Sequence, residues 1–211
     1  MPKIHAILTW EYPPRIVGQM AHHVERLATE LSKGMVPVSV ITFHDSPYAH
    51  ETVSECLEVH RISNPVEPHV TVVTWSLTLN SEVQRIVSDI YYGKLGDLNL
   101  LDVHDWHFVA AAAVLKRALG IPFIFTIHSL EDHRTPDPSS SLSSCIRGLE
   151  WLGIFESELV ITLSDWMKSE IERIHAAPQF KVRAIPPSSP SWIKETLAAY
   201  QKVSGLHPKG R

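Results

Sequence analysis

Ile4-His5-Ala6-Ile7-Leu8-Thr9-Trp10 is an apolar run too short for a helix and rich in strand formers, so it reads as a buried β-strand. Pro13-Pro14 can continue neither a strand nor a helix, which places a loop next, and Gly18 lets the chain turn into a helix. Met20, Val24, Leu27 and Leu31 then recur on one helical face that stops at Gly34, and Val38-Ser39-Val40-Ile41-Thr42-Phe43 is a second strand. Strand, loop, amphipathic helix, glycine stop and strand make a βαβ unit with parallel strands.

Working outward, the alternation continues. Strands are expected near 57–62 and 71–74, a helix around Val83, Ile86, Val87 and Ile90, and a strand at 98–103. An Ala-rich helix over 108–119 is closed by Gly120, and a strand follows at 122–127. The polar stretch 131–144, with Pro136, Pro138 and five serines, reads as a long loop over a site. Beyond it come a helix at 145–155, a strand at 159–163, a helix at 165–175, a strand at 182–185 and a last helix at 192–203. The Pro-rich turn 186–190 is a boundary candidate, but too little follows it for another domain. The pattern implies an α/β fold with a Rossmann-like open parallel sheet and helices on both faces. In such sheets ligands bind beyond the carboxyl ends of the strands, so informative residues should stand just after strands.

The 211 residues are enough for a sizeable core. With 44% hydrophobic and 20% charged residues the chain is a folded globular protein rather than a disordered one. A net charge of -4 without a long basic run gives no footprint for nucleic acid. Cys56 and Cys145 stand alone with no CxxC, and no secretory segment follows Met1, which suggests a reducing, cytoplasmic location. No apolar run approaches the roughly 18 residues of a membrane span.

Three segments fall just after strands. In Glu11-Tyr12-Pro13-Pro14-Arg15-Ile16-Val17-Gly18-Gln19-Met20, a loop enters a helix N-terminus whose free amides favour an anion, and Arg15 could add a phosphate contact. The plainer reading is a βα turn with a surface arginine, since GxGxxG is absent. His104-Asp105-Trp106-His107 and Thr126-Ile127-His128-Ser129 follow neighbouring strands, and their histidines and aspartate suit hydrogen bonding to sugar hydroxyls. A metal held by His104, Asp105 and His107 competes with that reading, but no HExxH or cysteine pair accompanies them, and none is expected. The third alternative is structural: Asp105 caps the following helix and the histidines satisfy buried backbone groups.

Four motifs stand in a shared order: Glu11-Tyr12-Pro13-Pro14 followed by Gly18, His104-Asp105-Trp106-His107, Phe125-Thr126-Ile127-His128-Ser129-Leu130, and Val160-Ile161-Thr162-Leu163-Ser164-Asp165-Trp166-Met167-Lys168. Over about residues 3 to 186 the chain resembles the N-terminal, acceptor-side domain of glycogen and starch synthases and related retaining GT-B glycosyltransferases. The resemblance implies two Rossmann-like domains facing across a cleft, with the acceptor glucan mainly on this one and the nucleotide mainly on the other. It maps the first of the family's two glycines near the donor diphosphate to Gly18. Gln19 stands in place of the second, and Ile16 and Val17 stand where the synthases carry a lysine, with Arg15 displaced.

The same resemblance maps the family's acidic residue to Asp105 and the histidine beside the transferred sugar to His128, with His104, Trp106 and His107 as further substrate-binding candidates. Nothing after Ile185 resembles the nucleotide-binding domain, so residues 1–211 are expected to form a single domain, half of a GT-B fold, without that C-terminal domain. The implied reaction moves glucose from ADP- or UDP-glucose to an α-1,4-glucan with retention, using no cofactor beyond the sugar nucleotide as substrate. A separate C-terminal-domain chain or a homo-oligomer would be its partner, and the chain alone would be inactive. The alternative is a non-catalytic glucan-binding or regulatory module derived from that domain.

Overall fold

A computed structural model describes residues 4–206, apart from 47 and 95. Its strands are β1 (Ile4–Thr9), β2 (Val38–Phe43), β3 (Ala49–Ser54), β4 (Leu57–Ile62), β5 (Leu98–His104), β6 (Phe123–Ile127), β7 (Leu159–Thr162) and β8 (Val182–Ala184). Its helices are α1 (Gln19–Lys33), α2 (Val72–Gly93), α3 (Val109–Leu119), α4 (Glu131–Arg134), α5 (Ser141–Glu156), α6 (Asp165–His175) and α7 (Trp192–Leu206). One eight-stranded sheet runs in the order β3-β4-β2-β1-β5-β6-β7-β8. All pairings are parallel except β3 with β4, so the expected parallel sheet carries one antiparallel edge.

Alternation along the central strands divides the core between the two faces. Ala6, Leu8, Ile41 and Val103 pack with apolar residues of α2, α3, α5 and α6, while Ile7, Val40 and Leu100 pack with α1 and α7. Met20, Val24, Leu27 and Leu31 all point inward from α1, and fully burying such a side chain contributes roughly 1.5–3 kcal/mol. Gly120 takes a left-handed conformation (φ 68°) that ends α3. At Gly153 a Cβ would stand 2.6 Å from the Phe125 ring, so glycine is what lets α5 lie so close on β6.

Two sequence expectations are corrected and one strand is added. The β-branched run 71–74 is the start of α2, because Thr71 and Thr74 cap each other reciprocally: Thr74 N donates to Thr71 Oγ1 at 3.2 Å, and Thr71 N to Thr74 Oγ1 at 3.0 Å. The edge strand β3 was not expected because every residue in it is exposed, leaving no apolar alternation to read. The stretch 131–144 is not one long loop. Glu131–Arg134 forms a helical turn and Ser140 caps α5, its hydroxyl accepting from Ser143 N at 3.2 Å.

Candidate functional site

From β1 the chain works outward through β2 and β4 on one side and then returns to β5 on the other, so the order reverses between β1 and β5. At that switch point, beyond the carboxyl ends of the strands, lies an open cleft of about 570 Å³. Gly18, Gln19, Asp105, Trp106, His107 and His128 all line it, so six of the eight sequence candidates are brought together.

The other two are placed differently. His104 is fully buried beneath the cleft, its Nδ1 2.8 Å from His128 Nε2. Arg15 lies outside the lining: its guanidinium sits 4.8 Å from the Trp10 ring and 4.9 Å from Phe43, and it pairs with Asp45 at 3.5 Å.

On the β1 side the loop encloses its own anion. Glu11 is almost fully buried, and its Oε2 accepts hydrogen bonds from Val17 N at 2.5 Å and Gly18 N at 2.7 Å, just ahead of the positive end of α1. The loop amides that the sequence offers to a phosphate are therefore engaged by a carboxylate of the chain itself. Gly18 is extended (φ -148°), a conformation open to any residue.

On the β5 side Asp105 is the organising group. Its φ of 56° with ψ of 178° is a conformation that costs a non-glycine residue about 1–3 kcal/mol and persists only where the surroundings enforce it. They do: Asp105 N donates to Thr126 O, while its carboxylate accepts from His128 N at 2.7 Å, Ser129 N at 3.4 Å and Ser129 Oγ at 3.3 Å. The expectation that Asp105 caps the following helix is corrected, since its carboxylate bonds across to the turn after β6. Burial raises its pKa to about 6, with Arg134 and the two backbone donors opposing that rise.

Beneath His128 runs a chain of buried polar groups. Asp102 accepts from Thr126 Oγ1 at 2.6 Å and from Tyr200 OH at 2.5 Å, and it stands 3.4 Å from His104 Nε2. A carboxylate beside Nε2 favours the proton there, leaving Nδ1 of His104 to accept from His128 Nε2–H. His23, from α1, presents its ring edge to His128 with centroids 5.0 Å apart. Burial followed by the charge of His104 lowers His128 well below the ordinary histidine value and His23 to about 4, so both rings are neutral at pH 7.

His107 does not satisfy a buried backbone group as the structural reading expects: its ring Nδ1 is buried without a hydrogen-bond partner. It is buried, stacked on Trp106 (4.1 Å) and Trp10 (4.7 Å), and its carbonyl accepts from Ser76 Oγ and Asn80 Nδ2. It does not join His104 and Asp105 as a ligand set. The histidines whose ring nitrogens come together at this end of the sheet are His23, His104 and His128.

Sequence reasoning missed Glu11, His23 and Arg134. Arg134 is the only lysine or arginine among the described lining residues, and it bonds Ser129 Oγ (2.7 Å), Glu150 (3.0 Å) and Glu131 (3.3 Å). It lay hidden in the stretch read as loop. A negative charge at Glu11 followed by amides at a helix start was the available signal for the first.

Comparison with known proteins agrees with this architecture. The sequence profile of Glycosyltransferase Family 4 matches residues 20–188. An uncharacterized glycosyltransferase of Methanocaldococcus jannaschii is 35% identical over 183 residues, 85% of this chain and 45% of that protein. Glycogen synthase of Mycobacterium tuberculosis is 29% identical over 184 residues, 80% of this chain and 44% of its own length. The chain thus spans less than half the length of the curated relatives it matches.

Among solved structures, a sucrose-phosphate synthase chain from Thermosynechococcus elongatus superposes with a TM-score of 0.70 at 14% identity, covering 98% of this chain and 100% of that one. Anabaena HepE, solved in complex with UDP and glucose, gives 0.58 at 13% identity over 97% of this chain and 51% of its own. These likenesses bear on the fold.

Proposed function

Because the chain belongs to Glycosyltransferase Family 4, we propose that it forms the acceptor-side wall of a glucosyltransferase that moves glucose from ADP- or UDP-glucose to an α-1,4-glucan with retention. The observation that supports this reading is the convergence of Asp105 and His128 on a cleft at the sheet's switch point. In the transfer, the bond from the sugar's anomeric carbon to the diphosphate breaks and a bond to the acceptor oxygen forms, the acceptor's proton ending on the diphosphate side.

His128, held neutral chiefly by burial, donates its Nε2–H to His104 and would accept from a sugar hydroxyl through Nδ1 without repelling a cationic transition state. Asp105 holds the His128 backbone in place, and Arg134 is the cleft cation nearest that turn, suited to developing charge on the leaving group. The second wall, with most nucleotide contacts, would come from another Rossmann-like domain, and the proposed setting is the cytoplasm. Among the described residues both cysteines are free, and no helix is long and apolar enough to cross a membrane.

The second reading, a glucan-binding module without transfer, draws on the β1 side: Arg15 is turned onto Trp10 and Phe43, and the loop amides are taken by Glu11. Calorimetry of the chain with maltotetraose, followed by a transfer assay with ADP- or UDP-glucose and glycogen, tests both readings. Maltotetraose binding without turnover by these 211 residues fits the one-wall proposal. Absence of glucan binding overturns it, and turnover by this chain alone overturns the need for a second wall.

A further inference from the structure

Away from the cleft, the antiparallel edge carries a second cluster of metal-ligating groups. In the β3–β4 ladder His50 lies directly opposite His60, and Glu58 is two residues before His60 on the same strand, so register and pleat put all three on one face. The imidazoles stack with centroids 4.5 Å apart. Their Nε2 atoms stand 3.9 Å (His50) and 3.8 Å (His60) from the same oxygen, Oε2 of Glu58.

We propose that His50, Glu58 and His60 form a binding site for a divalent transition-metal ion of the zinc class, independent of glycosyl transfer. Two nitrogens and one carboxylate oxygen are a donor set that Zn²⁺ takes readily, leaving a fourth position toward solvent, where His50 is exposed. Tetrahedral zinc with bonds near 2.0–2.1 Å needs ligand atoms about 3.3 Å apart, and the three ligand atoms lie within 4.8 Å of one another, so side-chain rotation has to bring them closer by at most about 1.5 Å.

Three further observations fit. His60 is only 7% exposed, and its Nε2 is buried without a hydrogen-bond partner, an arrangement that a metal bond relieves. Its other nitrogen, Nδ1, lies 3.1 Å from Tyr48 OH, the kind of outer contact that fixes a ligating ring. Lys94 Nζ stands 3.6 Å from Glu58 Oε1, which leaves Oε2 to face the histidines. The His23, His104 and His128 cluster is less suited to a metal, because two of its ring nitrogens are already bonded to each other at 2.8 Å.

The test is titration of untagged protein with Zn²⁺ at pH 7.5 by calorimetry, with Co²⁺ absorption reporting tetrahedral geometry. One ion per chain is expected here, with affinity falling about tenfold in Tyr48→Phe and further in His50→Ala, an exposed position whose loss leaves the fold intact by circular dichroism. His23→Gln should leave binding unchanged. No zinc binding by the wild type, or binding retained in His50→Ala and lost in His23→Gln, overturns the assignment.

Discussion

At the end of β1 a carboxylate of the loop, Glu11, gathers two amides from six and seven residues further along its own strand-to-helix turn. At the end of β5 a carboxylate, Asp105, gathers amides from 23 and 24 residues away, across a strand boundary. The first arrangement closes a turn locally and uses up the positive potential at the start of α1. The second ties two strand ends together and leaves His128 and Ser129 facing the cleft. Equal chemistry thus has unequal consequences: the β1 side is satisfied from within, while the β5–β6 side keeps groups available to a ligand.

The largest effect that would break this contrast is expected at Asp105. Asp105→Ala strands the His128 and Ser129 donors, and buried unpaired groups cost about 1–3 kcal/mol each, so urea unfolding should show a loss of about 3 kcal/mol. Asp105→Asn, which keeps an acceptor oxygen, should recover most of that. Equal losses in both variants would mean that the charge, and not the tie between strands, is what matters.

At Glu11 a smaller stability loss is expected, about 2 kcal/mol for Glu11→Ala, because the loop lies nearer to solvent and water can replace part of the bond. The same variant frees two amides at a helix start. Affinity for ADP, read by calorimetry, should therefore rise if the carboxylate is a resident competitor of phosphate, and stay unchanged if phosphate never approaches this turn.

His23 joins the halves, reaching from α1 to beneath His128. Its folded pKa of about 4 is below the unfolded value near 6.5, so its contribution is complete above pH 6.5 and is lost as pH falls toward 4. Asp105, raised to about 6, acts in the opposite sense: its burial penalty is relieved as pH falls through 6. His60, lowered to about 4 chiefly by burial and then by His50, adds to the histidine side. Stability should therefore fall from pH 7.5 to 5, and His23→Gln should reduce that fall by about 2 kcal/mol in urea titrations at the two pH values.

The smallest effect is expected at Gln19. Gln19→Gly removes a side chain from the cleft lining and should tighten ADP binding modestly, less than Glu11→Ala does, since the amides remain occupied. Arg15→Ala should leave ADP affinity unchanged because the guanidinium is committed to Trp10, Phe43 and Asp45.

The same contrast explains what the sequence made legible. The opening βαβ unit and α6 could be read because apolar spacing and glycine or serine punctuation agree with the tertiary packing there. At 71–74 β-branched residues suggested a strand, and a reciprocal cap outweighed that local preference. Gly18, Asp105 and His128 were found through position after strands and shared motifs. Glu11, His23 and Arg134 were not, since each acts through partners that only the folded sheet brings near: loop amides, rings from β5 and β6, and carboxylates on α4 and α5.

The central claim is that ligand recognition belongs to the β5–β6 side of the cleft. Amide chemical shifts of the ¹⁵N-labelled chain titrated with maltotetraose read it most directly. Saturable shifts are expected at residues 105–107, His128 and Ser129, with Val17 and Gly18 little changed. Shifts confined to Val17, Gly18 and Gln19, or saturable binding that moves none of the strand-end amides, would contradict it.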